Sequence, residues 1–225
     1  MALYGLMGAG RTELLESLAG ARGPATGHVA IEGVPVRELS LPERIRRGLT
    51  LIPEDRQGAG IVPPLSVTHN VTLASLRDHA RGFWLVGGRE RATVERMRGE
   101  LDIRMADPDR PITTLSGGNQ QKAVVARALL TSPRVLLMDE PTRGIDVAAR
   151  GEMFDLMRRL ADQGLAILCS SSDLKEVVGL ADRVVVLSGG RVTGEFDGDT
   201  VTEQELVEAS YVGHTTGPEG GQDEG

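Results

Sequence analysis

The sequence predicts an α/β fold built on a mostly parallel sheet. Short apolar segments alternate with segments of helical periodicity, which is typical of parallel strands joined by right-handed crossovers. Residues Val135 to Met138 are continuously apolar, as expected of a strand buried on both faces. A glycine-rich segment, Gly5 to Gly10, stands directly before a stretch with leucines at helical spacing, as in a loop that binds phosphate at a helix N-terminus.

The individual elements follow from local patterns and turn signals. Strands are predicted at residues 3–4, 28–31, 34–36, 49–52, 135–138, 165–169, 183–187 and 192–196, with hairpin turns at Glu32-Gly33 and Gly189-Gly190. Helices are predicted at 12–19, over most of 67–113 with a loop at 82–88, and at 120–130, 147–161, 174–180 and 202–212. One domain is expected over 1–212, with an inserted helical subdomain at about 67–130 and a disordered, polar tail at 213–225.

Composition argues against several classes of protein. A chain of 225 residues with 40% hydrophobic residues can bury a core without disulfides or metals. No apolar run approaches the roughly 18 residues of a membrane span, and the N-terminal residues lack the pattern of a secretory signal. The net charge of −7 and the lack of a basic stripe argue against nucleic-acid binding. Cys169 lies in an apolar segment and is expected to be a small buried residue in a reducing compartment.

The segment GLMGAGRT, residues 5–12, has the spacing of a phosphate-binding loop. Glycines let backbone N–H groups point inward as an anion nest capped by a helix N-terminus. The hydroxyl of Thr12 is expected to hold Mg²⁺, whereas Arg11 replaces the usual lysine and is bulkier and forked. Glu13 is either a further residue near the phosphates or a partner of the helix dipole. The candidate nucleotide-binding residues here are Gly5, Gly8, Ala9, Gly10, Arg11, Thr12 and Glu13.

Two acids, Asp139 and Glu140, follow the apolar strand. Ligands of open α/β sheets bind at the carboxyl ends of strands, where acids have a clear use. Two strand-end acids could also be simply solvated, but Pro141-Thr142 and the distance to the segment LSGGNQQK, residues 115–122, favour a functional pair. Within that segment Ser116, Gly117 and Gly118 precede a helix, where small residues expose N–H groups and a hydroxyl at its positive end.

The segments GLMGAGRTEL, IPEDR, LSGGNQQK, DEPTRGID and SSDL together resemble the C-terminal ATP-binding cassette of bacterial monosaccharide ABC importers of the ribose, galactose and xylose type. The resemblance covers roughly residues 3–212 and implies ATP and Mg²⁺ as cofactors. It assigns Asp139 to Mg²⁺ through water, Glu140 to polarising the attacking water, and Asp146 to the loop that crosses a cassette dimer. It assigns Ser116, Gly117 and Gly118 to the γ-phosphate of an ATP held by the opposite cassette. The candidate nucleotide-binding residues of this segment are Leu115, Ser116, Gly117, Gly118, Asn119 and Gln120.

Three switch positions depart from the family pattern. Besides Arg11, Glu54 stands where the family has a glutamine, with Gln57 nearby but off register, and Ser172 stands where it has a histidine. Both residues keep a candidate catalytic role by position. The chain's own histidines, at 28, 69, 79 and 214, are expected in loops or on the surface. These replacements, and Asn119 where most cassettes have glutamine, are those of the C-terminal half of such importers.

The resemblance implies an ABC-type ATPase that energises sugar import and is weakly active or inactive when isolated. It implies a second cassette and transmembrane permease subunits as partners, indirectly a sugar-binding protein, no nucleic acid, and a peripheral location at the cytoplasmic face of the bacterial inner membrane. Family cassettes begin with a strand region whose aromatic residue stacks on adenine, so an N-terminally truncated cassette is expected here. Two alternatives remain: a soluble cassette protein of DNA repair or translation, and a non-catalytic half that completes a neighbour's site.

Overall fold

The computed structural model describes residues 1–23, 26–81 and 84–212. In chain order the strands are β1 (Ala2–Tyr4), β2 (Ala30–Ile31), β3 (Val34–Pro35), β4 (Leu49–Ile52), β5 (Ala80–Arg81), β6 (Trp84–Leu85), β7 (Val135–Asp139), β8 (Ala166–Ser171), β9 (Arg183–Ser188) and β10 (Arg191–Asp197). The helices are α1 (Arg11–Ala19), α2 (Leu41–Arg46), α3 (Val67–Thr72), α4 (Gly87–Leu101), α5 (Gly117–Leu129), α6 (Val147–Asp162), α7 (Leu174–Leu180) and α8 (Glu203–Tyr211). The chain divides into two compact units, Met1–Arg11 with the residues from Ser170 onward, and Thr12–Cys169.

The first unit is built around β9, which pairs in parallel with β1 and antiparallel with β10. All of β9 after Arg183 is buried, as its run of valines requires. The turn into β10 consists of Gly189 and Gly190, with φ of 55° and 76°, so both positions favour glycine and the predicted hairpin is present. Helix α8 packs against β9, and the Ser188 hydroxyl donates to the Ser210 carbonyl at 2.7 Å.

The second unit contains β4 and β7, which pair in parallel from Leu49 with Val135 to Ile52 with Met138. Strand β7 lies between β4 and β8. Its residues Leu136 to Met138 are at most 1% exposed, which confirms the buried apolar strand expected from the sequence. The parallel pairs β4–β7 and β1–β9 confirm a mostly parallel α/β sheet, with β10 as its antiparallel member.

The segment predicted as helical, 67–130, forms a cluster in which α3 contacts both α4 and α5. Its details differ from the prediction in three places. The chain makes a short hairpin, β5–β6, beside the expected loop, whose residues 82 and 83 lie outside the described part. Helix α5 begins at Gly117 rather than at 120, because Ser116 caps it there. His79 is buried at the end of a 3-10 helix, with its Nε2 at 3.1 Å from the Ser75 hydroxyl, so the expectation of a loop or surface residue is wrong at this position.

Helix α2 was not predicted. Its local signals are present: Ser40 caps it, Glu43 completes a capping box, and Pro42 stands in the first turn. The helix has only six residues, so local signals alone do not stabilise it. Its Arg44 is buried and donates to backbone carbonyls of α1 and of the loop before α2, which makes the helix a tertiary feature. The predicted tail, 213–225, lies outside the described residues.

Candidate functional site

The loop between β1 and α1 has room only for glycine at its start. A Cβ on Gly5 would lie 2.4 Å from the Leu187 carbonyl oxygen and 2.8 Å from the Cβ of Ala9. Gly8 and Gly10 have φ of 78° and 99°, a conformation that glycine adopts without a steric cost. The glycine-dependent curl that the sequence predicted is therefore present, directly before the first turn of α1.

Arg11, Thr12 and Glu13 form the first turn of α1. The side chains of Arg11 and Thr12 are half-buried, whereas Glu13 is exposed and lies 3.7 Å from the Arg22 guanidinium. An acidic side chain in the first turn interacts favourably with the helix dipole. Dipole stabilisation therefore accounts for Glu13 without a nucleotide, whereas Thr12 presents a hydroxyl at the turn where the sequence placed a metal ligand.

The turn between β8 and α7 carries Ser172, the residue at the switch-histidine position. The Ser171 hydroxyl donates to the Glu176 carboxylate at 2.6 Å and accepts from the Asp173 N–H at 3.0 Å. The Asp173 carboxylate in turn accepts from the Lys175 N–H at 3.0 Å. Hydrogen bonds of the neighbouring residues thus hold the turn, and Ser172 is exposed.

Asp139 and Glu140 lie at the carboxyl end of β7. Asp139 is the last residue of the strand and is 3% exposed. Glu140 follows with φ of 44°, a left-handed conformation that L-residues adopt at a cost and that is frequent at functional sites. The two acids therefore differ in backbone conformation as well as in burial, which suits two different roles.

Glu54 follows β4 and forms an ion pair with Arg143, three residues after Glu140. The Arg56 guanidinium donates to the carbonyls of Arg143 and Gly144, both at 3.4 Å, and burial lowers the pKa of Arg56. The segment after β4 is thus attached to the turn after β7, which the sequence did not predict. A cleft of about 450 Å³ runs along this junction, lined by Glu54, Asp55, Arg56, Gln57, Arg143 and Gly144.

Ser116 is the N-cap of α5, and its exposed hydroxyl oxygen accepts from the Asn119 backbone N–H at 3.5 Å. The next two residues need to be small. A Cβ on Gly118 would lie 2.6 Å from the Cβ of Ala149, and one on Gly117 would lie 3.1 Å from the Gly144 carbonyl oxygen. The first turn of α5 therefore lies against the start of α6 and against the turn after β7.

The start of α6 is capped by Asp146, whose carboxylate accepts from the Ala149 N–H at 2.9 Å. Because Gly118 touches Ala149, the capped ends of α5 and α6 are neighbours. Two positions that the sequence singled out separately, Ser116 and Asp146, are thus helix caps on one surface of the second unit.

Gln120 has a different environment from the one expected of a nucleotide-binding residue. It is buried; its amide donates to the Leu115 carbonyl at 3.1 Å and accepts from the Gln57 amide at 2.8 Å. Gln120 therefore holds the LSGGNQQK segment in place through hydrogen bonds within the protein. Gln57 is a residue that sequence reasoning passed over because it is off register; its closeness to Glu54 was the only signal.

The chain matches the ABC transporter family model over residues 1–143. The chain belongs to the ABC transporter family. It is 47% identical over 210 residues to the ribose import ATP-binding protein RbsA 1 of Rubrobacter xylanophilus, covering 93% of this chain and 42% of that protein. It is 43% identical over 220 residues to the xylose import ATP-binding protein XylG of Pseudomonas syringae, covering 97% and 42%. The chain thus spans less than half the length of these curated relatives.

Solved structures show the cassette fold. A dimeric ATP-binding cassette in a post-hydrolysis state with ADP and Pi matches with a TM-score of 0.75 and 22% identity, over 89% of this chain and 85% of that one. A nucleotide-free ATP-binding cassette from an ABC transporter matches with a TM-score of 0.78 and 19% identity, over 92% and 83%. Family membership and fold together imply that this cassette binds nucleotide.

An ion-pair network stabilises helix α5, which contains most of the LSGGNQQK segment. Lys122 is 4% exposed; its ammonium donates to the Glu152 carboxylate of α6 at 2.7 Å and to the Asp102 carbonyl at 3.0 Å. Arg104 contacts the same carboxylate at 2.9 Å. The hydrogen bond from Lys122 is the main cause that lowers the pKa of the Glu152 carboxyl. The network joins α5, α6 and the loop after α4.

Replacing Glu152 with glutamine is expected to lower the free energy of unfolding at pH 7 by roughly 1 kcal/mol, because the buried Lys122 ammonium loses its anionic partner, whereas the Glu152 side chain, 37% exposed, is partly screened by solvent. Since the pKa of Glu152 is lowered by folding, its contribution is complete above the unfolded value of about 4.3 and is lost as the pH falls through the folded value. Urea unfolding of both proteins between about pH 7 and pH 3.5 measures this. The difference in unfolding free energy between the unchanged protein and Glu152→Gln should shrink as the pH falls.

A matched control for this prediction is Glu95→Gln. Glu95 forms an exposed pair with Arg98 at 3.4 Å on α4, and exposed pairs contribute little. A loss for Glu95→Gln equal to that for Glu152→Gln, or a Glu152→Gln difference independent of pH, would contradict the assignment of stability to the Lys122–Glu152 contact.

Proposed function

We propose that this chain is the ATP-binding cassette of an importer for simple sugars, hydrolysing ATP as part of a two-cassette assembly. The observation that carries the proposal is the identity of 43–47% to ribose and xylose import ATP-binding proteins over more than nine-tenths of the chain. In this proposal the cassette supplies its LSGGNQQK segment to the ATP site of a partner cassette and keeps a degenerate nucleotide site of its own.

The surface around the LSGGNQQK segment supports a second cassette as the partner. Ser116 is exposed at the N-terminus of a 13-residue helix, where backbone N–H groups and the helix dipole favour an anion. Val147, the residue after the Asp146 cap, is 84% exposed although it is apolar. An exposed valine beside an anion-binding helix end fits a surface that another protein covers. Transmembrane permease subunits, and indirectly a sugar-binding protein, complete the proposed assembly.

The proposed location is the cytoplasmic face of the bacterial inner membrane, where the permease would hold the cassette peripherally. In the described part of the chain, no helix combines the length and the apolar character that crossing a bilayer requires.

Mg²⁺ is proposed together with ATP, with the Asp139 carboxylate and the Thr12 hydroxyl as its protein ligands. Mg²⁺ prefers oxygen ligands and usually takes one or two from the protein, the others coming from phosphates and water. Within the described ranges, no group of three or more His, Cys, Asp and Glu side chains could hold a metal. This donor set fits a metal that arrives with the nucleotide, and when bound it would neutralise charge on the phosphates.

The protein's own part in the proposed reaction is positioning and charge stabilisation. Glu140 is the candidate to orient and polarise the attacking water. The curled loop from Gly5 to Gly10 is the candidate to direct N–H groups at phosphate oxygens. Toward the partner's ATP, the Ser116 hydroxyl and the N–H groups of the first turn of α5 stabilise the charge that develops on the transferred phosphoryl group. Asp146 would hold the cassette interface beside it.

The isolated chain is expected to bind Mg-ATP weakly and to turn it over negligibly. Arg11 replaces a lysine by a larger, forked cation, Glu54 is paired with Arg143, and the short Ser172 side chain replaces a histidine. The measurement is ATP binding and steady-state hydrolysis by the purified chain, alone and with an intact partner cassette. Turnover by the chain alone, abolished by Glu140→Gln, would contradict a degenerate site. If adding the partner cassette stimulates ATP turnover by this chain, the result favours the proposed function over a non-catalytic half that only completes a neighbour's site.

A further inference from the structure

The Ser116 hydroxyl has both of its acceptor positions occupied. Its oxygen accepts from the Asn119 backbone N–H at 3.5 Å and from the Asn119 side-chain amide, Nδ2, at 2.8 Å. A serine hydroxyl has two lone pairs and one proton, so the proton remains for a further bond. Among the described residues, no protein acceptor lies within hydrogen-bond distance of that proton, and Ser116 is exposed.

The orientation of the Asn119 amide follows from a third contact. The backbone N–H of Arg104 lies 2.7 Å from Oδ1 of Asn119. A backbone N–H can only donate, so the oxygen of the amide faces Arg104 and the NH₂ group faces Ser116. The reversed amide would place two donors against each other at Arg104. The loop after α4 therefore determines which group Asn119 presents to Ser116.

We propose that Asn119 is a positioning residue that presets the Ser116 hydroxyl as a hydrogen-bond donor toward a phosphoryl oxygen of ATP. The proposal rests on the proposed function, in which Ser116 meets the γ-phosphate of the nucleotide held by the second cassette. A free serine hydroxyl rotates between donor orientations. Here the Arg104–Asn119–Ser116 chain directs the proton away from the protein, so the donor is oriented before the phosphate arrives, as preorganised stabilisation requires.

The ion pairs around Arg104 agree with a positioning role for Asn119. Arg104, whose N–H holds Asn119, is itself held by the Glu152 carboxylate at 2.9 Å, and that carboxylate also binds the buried Lys122. The orientation of Asn119 is therefore supported by the ion pairs that join α5 to α6. A carboxylate at position 119 would accept from Arg104 equally well but would also accept the Ser116 proton, turning the hydroxyl inward and adding a negative charge.

The functional test is a double-mutant cycle in the two-cassette protein, with ATP turnover as the readout. Asn119→Asp is expected to lower kcat by about 10²-fold, close to the effect of Ser116→Ala, with a smaller change in KM. Asn119→Ala, which removes the donor without adding charge, is expected to lower kcat by about 10-fold, as for other residues that orient a ligating group. In the Ser116→Ala background Asn119→Ala should have no further effect, because it acts through that hydroxyl.

The matched control is Gln163→Glu, the same amide-to-carboxylate change at the exposed C-terminal cap of α6. It should leave kcat unchanged. Additive losses for Asn119→Ala and Ser116→Ala, or a harmless Asn119→Asp beside a damaging Ser116→Ala, would overturn the inference. A harmless Ser116→Ala would instead overturn the part of the proposed function on which the inference rests, namely the contact of Ser116 with the γ-phosphate of the partner's ATP.

A second readout needs no activity. In the ¹⁵N-labelled chain, the side-chain amide resonances of Asn119 are expected to shift in Ser116→Ala, because one amide proton loses its acceptor, and to stay unchanged in Gln163→Glu. Resonances of Asn119 that do not respond to Ser116→Ala would show that the hydrogen bond is absent and would overturn the inference, whatever the activities are.

Discussion

Ser116→Arg in the two-cassette protein is expected to lower ATP turnover and transport by about 10²–10³-fold, because the substitution removes the hydroxyl that we propose as a preorganised donor to the phosphate of the partner's ATP. It also places a long cation at the capped end of α5, where the helix dipole already carries positive charge. Gly118→Asp should be equally damaging. Its Cβ would lie 2.6 Å from the Cβ of Ala149, so α5 and α6 would have to separate.

The controls for this prediction lie on both sides of the site. Thr113→Arg adds the same side chain at an exposed position three residues earlier and should be near neutral. Glu140→Gln and Arg11→Ala change residues that we propose for this cassette's own nucleotide, and they should reduce turnover much less, because the lysine, glutamine and histidine of the family pattern are replaced in this sequence. Transport and ATPase assays on all the variants are the measurement. If Glu140→Gln is as damaging as Ser116→Arg, this cassette hydrolyses its own ATP efficiently, and the proposal of a degenerate nucleotide site is wrong.

Arg44→Ala is expected to lower the free energy of unfolding by about 2–4 kcal/mol, since it removes a buried guanidinium and leaves several part-buried carbonyls without its donors. The guanidinium donates to Leu39 at 3.0 Å, to Ser17 at 2.9 Å and to Leu18 at 2.6 Å, and it also reaches the Arg37 carbonyl. Ser17 and Leu18 belong to the last turn of α1, where a cation also interacts favourably with the helix dipole.

Urea unfolding at pH 7 measures this loss, with Arg46→Ala as the matched control. Arg46 lies on the same short helix but is exposed, so its replacement should change stability by no more than about 0.5 kcal/mol. Arg44→Lys should be intermediate, because one ammonium cannot reach all of the carbonyls that the fork reaches. Equal losses for Arg44→Ala and Arg46→Ala would contradict a tertiary role for Arg44.

The part of the fold that could be predicted from sequence is the part whose signals are local. Strand β7 was predicted because a short, continuously apolar run is typical of a parallel strand buried on both faces. The β9–β10 hairpin was predicted because two adjacent glycines fit a turn with positive φ at both central positions. The curled loop at Gly5, Gly8 and Gly10 was predicted because a tight turn needs positive φ angles or room without a Cβ, which glycine provides without a steric cost.

The elements that sequence reasoning missed depend on distant partners. Helix α2 has six residues and needs Arg44 to bind carbonyls 26 and 27 positions earlier. The attachment of Glu54 to Arg143, and of Gln57 to Gln120, joins segments that are more than 60 positions apart. No periodicity or turn signal in either segment reports on the other, so such pairs are visible only when the chain is folded.

The sequence by itself determined that this protein is an α/β cassette with a glycine loop, two strand-end acids and a helix that follows the glycines of LSGGNQQK. These features depend on backbone freedom and on apolar continuity and periodicity, which operate within a few residues. Only the tertiary structure decided what holds the LSGGNQQK helix in place: Gln57 at one side, Glu152 at another, and Arg104 behind Asn119. The physical reason is that hydrogen bonds of long side chains choose partners by proximity in space, and proximity follows from how the helices and strands pack.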